Sequence, residues 1–384
     1  MTPCLVPGDA VSNDVVGMEA VLAARGHEVA IFADNWAPAP VSVRHVNEIG
    51  SFLQDPSAVL IYHYSVGWDI GLRLLNERPC KTVVKYHNVT PPAFFEGVNE
   101  DYAAVCRHGR QQLAAIATAG CDLYLSDSEY NARELAEAGT GSTPNLVVPP
   151  FHHIDRLFGV EADLGIIDRY RDGRANVLMV GRLAPNKRHD RLIEAFAHYF
   201  HGYNRQARLL IVGKEDDRLS GYTNALRRQV KRLRLQDAVV FCGAVSDAAL
   251  KSYYLLADAF LLTSDHEGFC VPLVESMAMK VPIVAYAAAA IPETVGNAGL
   301  VWAEPGPEVL AASLSHLIQD EETRRACSQA GWVRYHQRFT NEQIEANFAR
   351  VMKDTLGDAD GAFSLESANV GSIPRELGGP VEAA

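Results

Sequence analysis

The sequence predicts an α/β protein built as two doubly wound, parallel-sheet Rossmann-like domains facing a central cleft. Three observations carry that expectation. A chain of 384 residues exceeds one typical domain and suits two, each able to bury its own core. Short β-rich apolar runs alternate with helical stretches, the pattern of parallel strands joined by crossover helices. The alternation also comes as two series, with an interruption between them.

The first series opens on a short strand at Cys4 to Val6 and continues through AVLIYHY (Ala58 to Tyr64), TVVKYH (Thr82 to His87), DLYLS (Asp122 to Ser126) and LVVP (Leu146 to Pro149). Pro149-Pro150 then forbids continued strand pairing, and the segment to Ala175 carries no period-2 pattern, so the break falls between Pro150 and Asn176. The second series is NVLMVG from Asn176, RLLIVG from Arg208, AVVFCG from Ala238, AFLLT from Ala259 and VPIVAY from Val281. The expected domains are residues 1–160 and 170–340. In 341–356 the apolar Ile344, Phe348, Val351 and Met352 recur at helical spacing, and the helix they make is expected to cross back to the first domain. Residues 357–384, rich in Gly, Ala, Ser and Glu without periodicity, are expected to be disordered. That tail contains Asp358-Ala359-Asp360, which has no rigid strand behind it to hold a metal.

Composition excludes several classes. The 48% hydrophobic content is dispersed, and no run approaches the roughly 20 apolar residues that cross a bilayer. The opening MTPCLVPGD has neither a basic n-region nor an apolar core, so a soluble, cytoplasmic protein with at most peripheral membrane contact is expected. Seven scattered cysteines without a CxxC pair argue against a disulfide framework and a zinc site. A net charge of -12 argues against nucleic acid as a partner.

The chemistry concentrates in HEGFCVPLVES, where Glu267 and Glu275 flank a loop of Gly268, Phe269 and Cys270 just after the strand AFLLT. Val271 and Pro272 open the next helix, whose first N–H groups face the cleft and suit anionic or hydroxyl-rich ligands. Glu267 then stands at the loop mouth and Glu275 about one turn into the helix, so both carboxylates reach one bound molecule. VGRLAPNK places Arg182 and Lys187 in the loop after the first strand of the second domain, where doubly wound sheets bind phosphate. In the first domain Gly8 and Asp9 occupy a strand-to-helix turn that lets backbone approach a ligand. His87 ends a strand at the cleft, and Ser126 and Ser128 follow another, as site residues or helix caps.

These motifs resemble the retaining glycosyltransferases of sequence family four, whose hallmark is E-G-F/Y-x-x-P-x-x-E. The resemblance extends to VGRLAPNK and VVFCGAVS and covers most of residues 7 to 356. It implies the GT-B fold, with acceptor bound by the first domain and nucleotide sugar by the second. It also implies roles: Glu267 and His87 beside the donor sugar, Glu275 on the ribose, and Arg182 and Lys187 on the diphosphate. Two cations there would neutralise the departing diphosphate, so neither a metal nor another cofactor is expected. The surrounding motifs look like enzymes of polysaccharide and glycoconjugate assembly, mannosyltransferases among them. The expected reaction moves a hexose, with retention, from a nucleotide sugar to a sugar, lipid-linked or other hydroxyl acceptor. GDP-mannose is the favoured donor and a UDP-sugar the alternative. Two rivals stand beside it. A nicotinamide enzyme would want G-x-G-x-x-G, which is absent at Val6 to Asn13 and Gly181 to Lys187. A noncatalytic nucleotide-sugar binder on the same fold is separated by turnover alone.

Overall fold

The computed structural model describes residues 1–77 and 80–356. The tail 357–384, with Asp358-Ala359-Asp360, lies outside the described residues. The chain begins with β1 (Thr2–Leu5), α1 (Ala10–Ala24), β2 (Ile31–Trp36), β3 (Val43–His45), the one-turn α2 (Gly50–Leu53), β4 (Val59–Tyr64) and α3 (Asp69–Asn76). It continues through β5 (Lys81–Tyr86), α4 (Glu100–Ala117), β6 (Leu123–Ser126), α5 (Glu129–Ala138) and β7 (Asn145–Val147).

All pairings among these strands are parallel, in the orders β1-β2-β3 and β4-β5-β6-β7. The two groups meet at β1 and β4, where the Met1 carbonyl accepts from the His63 N–H at 3.0 Å. The spatial order is therefore 3-2-1-4-5-6-7, and the crevice of this doubly wound layer opens beyond the ends of β1 and β4.

Two short helices follow the proline pair, α6 (Ile154–Gly159) and α7 (Leu164–Tyr170). The second domain then runs β8 (Ala175–Val180), α8 (His189–Gly202), β9 (Ala207–Val212), α9 (Ser220–Arg232), β10 (Val239–Gly243), α10 (Asp247–Leu256) and β11 (Ala259–Leu262). It ends with α11 (Val271–Ala278), β12 (Ile283–Tyr286), α12 (Ile291–Val295), β13 (Gly299–Trp302), α13 (Pro307–Gln319) and α14 (Glu321–Arg338), and α15 (Asn341–Leu356) closes the described chain. Its sheet has the order β10-β9-β8-β11-β12-β13, again parallel. The strand ARLLIV of β9 is buried at every position, as a sheet covered by helices on both faces requires. The switch point lies between β8 and β11, so the loops carrying Arg182, Lys187 and Glu267 lie side by side at its mouth.

Several boundaries differ from expectation. The first strand is Thr2–Leu5 rather than Cys4 to Val6, and it ends before Pro7, which has no N–H to add to a ladder. Strands β3 and β13 escape the sequence pattern because they are short, partly buried edges, and β2 escapes it because Asp34 and Asn35 cut short its apolar run. Residues 154–160, assigned to the first domain, pack with the second: Ile154 joins Ile167, Tyr170 and Tyr253 in its core. Helix α15 packs Ile344, Phe348, Val351 and Met352 against Met18, Val83, Leu123, Leu125 and Phe151 of the first domain. No helix of the described residues is long and apolar enough to cross a membrane.

Candidate active site

The second domain supplies two loops locked to each other. A Cβ on Gly213 would meet the Gly181 carbonyl oxygen at 2.0 Å, so the loops after β8 and β9 touch backbone to backbone. A 3-10 turn at Pro185–Lys187 then presents Lys187. The Asp265 N–H donates to Asn186 O at 2.9 Å and the Asn186 amide donates to His266 O at 3.2 Å, which fixes the loop after β11 alongside. The outcome is a two-pronged ion pair: Lys187 Nζ lies 2.7 Å from both carboxylate oxygens of Glu267. Burial alone would lower the Lys187 pKa, but the Glu267 carboxylate outweighs it and holds the ammonium above its ordinary value. Glu267 is only 6% exposed, so this partner is what makes a charged carboxylate tenable there.

Arg182 is exposed, and its guanidinium sits 5.5 Å from the centre of the Tyr102 ring, with Nη1 donating to Tyr102 Oη at 3.2 Å. Cys270 takes a left-handed φ of 75° to start α11, with Pro272 in its first turn. The side chains of Phe269 and Cys270 belong to the apolar core and Val271 packs against it, so main-chain groups are what these three can offer a ligand. Burial pushes the Cys270 thiol well up. Glu275 follows in the second turn, 4% exposed. Its Oε2 accepts from Tyr254 Oη at 2.6 Å, and burial raises its pKa.

The first domain presents a second charged cluster, built from the ends of four elements. His63 is the penultimate residue of β4, His87 follows β5, Asp127 follows β6 and Asp14 lies in α1. His87 Nδ1 is 3.0 Å from Asp127 Oδ2 and its Nε2 is 3.0 Å from His63 Nδ1. Lys85 Nζ, fully buried, lies 2.6 Å from Asp127 Oδ1 and 4.0 Å from Asp14 Oδ2. Burial drives the His63 pKa well below its ordinary value. Burial alone would raise Asp127, yet His87 and Lys85 bring it below the usual carboxylate range. Among the described residues, Asp14, His63 and His87 form the group whose ligand atoms lie close enough, within 4.8 Å of one another, to gather round a metal. An ion there would displace the His63–His87 hydrogen bond and face the Lys85 ammonium, so the residues as placed answer one another's charges.

Placement of the remaining expected residues is mixed. Gly8 has a φ of 84° and open space around it, while Asp9 caps α1 by accepting from Ser12 N at 3.2 Å. Ser128 caps α5 and donates to Gly268 O at 2.7 Å, a direct contact between the domains. Ser126 is buried against Asn145, away from the cleft. Both ring nitrogens of His87 are committed within its own cluster, with a 4% exposed side chain.

The sequence reading missed the contacts that join the domains. His266 Nε2 lies 2.8 Å from Asn88 Oδ1, and Tyr102 Oη donates to Asp216 at 2.5 Å. Glu293 of α12 accepts the N–H groups of Glu129 and Tyr130 at 3.0 and 2.9 Å, where the dipole of α5 favours a carboxylate. His63 alone had a signal, since YHY repeats the strand-ending histidine of KYH; the others have no local pattern.

The geometry can be set beside known proteins. Residues 168–333 match the family model described as glycosyl transferases group 1. Mannosylfructose-phosphate synthase of Agrobacterium fabrum is 34% identical over 181 residues, which is 46% of this chain and 40% of that protein. The GDP-mannose-dependent alpha-(1-6)-phosphatidylinositol monomannoside mannosyltransferase of Mycobacterium tuberculosis H37Rv is 26% identical over 342 residues, 82% of this chain and 86% of the relative. Among solved structures, sucrose-phosphate synthase of Thermosynechococcus elongatus superposes with a TM-score of 0.71 at 18% identity, covering 93% of this chain and 99% of that one. Anabaena HepE in complex with UDP and glucose gives 0.69 at 18% identity, over 92% and 100%. The chain therefore has the GT-B fold of two facing Rossmann-like domains, and its second domain is similar to the glycosyl transferases group 1.

Proposed function

We propose that the protein is a retaining, metal-independent hexosyltransferase that moves a sugar from a nucleotide-sugar donor to a hydroxyl acceptor in polysaccharide or glycoconjugate assembly, with GDP-mannose as the favoured donor. The observation that supports this best is the Lys187–Glu267 pair at the switch point of the second sheet.

The chemistry follows from charge. As the glycosidic bond breaks, negative charge grows on the diphosphate and positive charge on the anomeric carbon. Lys187 and Arg182 answer the first, and the Glu267 carboxylate answers the second. The leaving diphosphate takes the acceptor's proton as the acceptor attacks the same face, which preserves configuration without a second catalytic carboxylate. Lys187 can turn from Glu267 toward phosphate because both are acceptors of its three N–H groups. Arg182 must leave the Tyr102 ring to do the same.

The donor base rests on the mannosyltransferases among the relatives, whereas UDP in the HepE complex keeps a UDP-sugar as the alternative reading. A thermal-shift panel of GDP, UDP and ADP with their sugars tests this. A nucleotide at about 100 times its Kd stabilises by roughly 2.7 kcal/mol. The reading expects the largest rise with GDP and GDP-mannose, and a rise with UDP-glucose alone contradicts it.

A further inference from the structure

We propose that His153 is a second ligand of the donor's ribose, donating from Nε2 to the hydroxyl whose proton goes to Glu275. The proposal rests on the reading of Glu275 as the ribose carboxylate. His153 stands in the linker just past Pro149-Pro150, as the residue that precedes α6, with a side chain 21% exposed. Its Nδ1 lies 2.9 Å from the side-chain nitrogen of Asn13, in the first turn of α1. An amide nitrogen can only donate, so Nδ1 accepts and the ring carries its proton on Nε2. That Nε2 lies 4.0 Å from Glu275 Oε1.

A separation of 4.0 Å is too long for a hydrogen bond and fits one oxygen bridging both groups. The two ends are complementary: an N–H on one side and a carboxylate oxygen on the other. The other carboxylate oxygen, Oε2, is already held by Tyr254 at 2.6 Å, which leaves Oε1 as the acceptor facing His153. A sugar hydroxyl satisfies both, accepting from His153 and donating to Glu275. Burial raises the Glu275 pKa, and the hydrogen bond from Tyr254 opposes that rise only in part. The arrangement also spans the molecule, since Asn13 lies in the first domain, His153 in the linker and Glu275 in the second.

The test is calorimetric titration of the full chain with GDP, UDP and their 2′-deoxy and 3′-deoxy counterparts. Wild type should bind one deoxy form about tenfold more weakly than its parent. His153→Ala should weaken the parent by about tenfold and lose that discrimination, and His153→Gln, which keeps an N–H donor, should restore part of it. Glu275→Gln should lose the discrimination too. If His153→Ala discriminates as wild type does while Glu275→Gln does not, the proposal is overturned and the ribose reading stands. If Glu275→Gln also discriminates as wild type does, both fall. A purely structural His153 would lower affinity for parent and deoxy forms by the same factor, which likewise overturns the proposal.

Discussion

At the scale of single residues, the buried Lys187–Glu267 charge pair is both support and tool. Lys187 and Glu267 each make the other's ionisation affordable, so removing either does two things at once. Breaking a buried pair costs about 3 to 5 kcal/mol because a lone charge remains; Lys187 is 20% exposed, which puts its removal at the low end. Lys187→Ala is therefore expected to lower kcat about a hundredfold or more, and also to lower Tm. Glu267→Gln should depress kcat with a smaller loss of Tm, since the charge it leaves unpaired, Lys187, is 20% exposed against 7% for the Glu267 side chain. Glu275→Gln keeps an oxygen for Tyr254 and should chiefly raise the donor KM. Initial rates at saturating donor, with a melting curve for each variant, separate these effects. Near-native kcat for both Lys187→Ala and Glu267→Ala, with the fold intact, would place the chemistry elsewhere.

At the scale of elements, the loop after β11 tolerates no side chain at Gly268. A Cβ there would meet His87 O at 2.7 Å and Asn88 Cβ at 2.9 Å, both across the cleft. The contact lies between domains, so Gly268→Ala should leave Tm close to wild type. It should lower kcat/KM by about a hundredfold, the scale of a roughly 1 Å misplacement of reacting groups. Steady-state kinetics and a melt check this, and unchanged kinetics would show that the domains work without this contact. The same loop marks how far the sequence could be read. Glu267, Glu275, Arg182 and Lys187 were legible because strand ends, glycine and proline fix their places locally. Tyr254 reaches Glu275 from the core, and Tyr102 and Glu293 reach the other domain, all from helices whose own patterns announce only a buried or solvated face. His87 was placed at the right strand end, but its partners Asp14, His63 and Asp127 come from three other elements. Parallel pairing alone brings those elements together, and no local spacing records it. The fold was legible for a similar reason, since fully buried strands such as β9 print continuous apolar runs, whereas the short edges β3 and β13 print almost nothing.

At the scale of the whole molecule, two sheets face each other and α15 belongs by contact to the domain it does not follow. Phe348 is fully buried against Phe151, with ring centres 6.2 Å apart, so Phe348→Ala should cost about 3 to 5 kcal/mol. Denaturant melts would show this as a lower midpoint, and a change under about 1 kcal/mol would mean that the helix is not part of that core. The central claim is that cationic side chains, rather than a metal ion, carry the departing diphosphate while configuration is kept. The most direct measurement is transfer from GDP-mannose, or from the nucleotide sugar that the thermal-shift panel selects, in EDTA with no added divalent ion. The product's anomeric configuration is read by NMR before it can equilibrate. Turnover close to that in magnesium or manganese is expected, with an α-linked product from the α-configured donor. An absolute requirement for either ion, or a β-linked product, would contradict the claim.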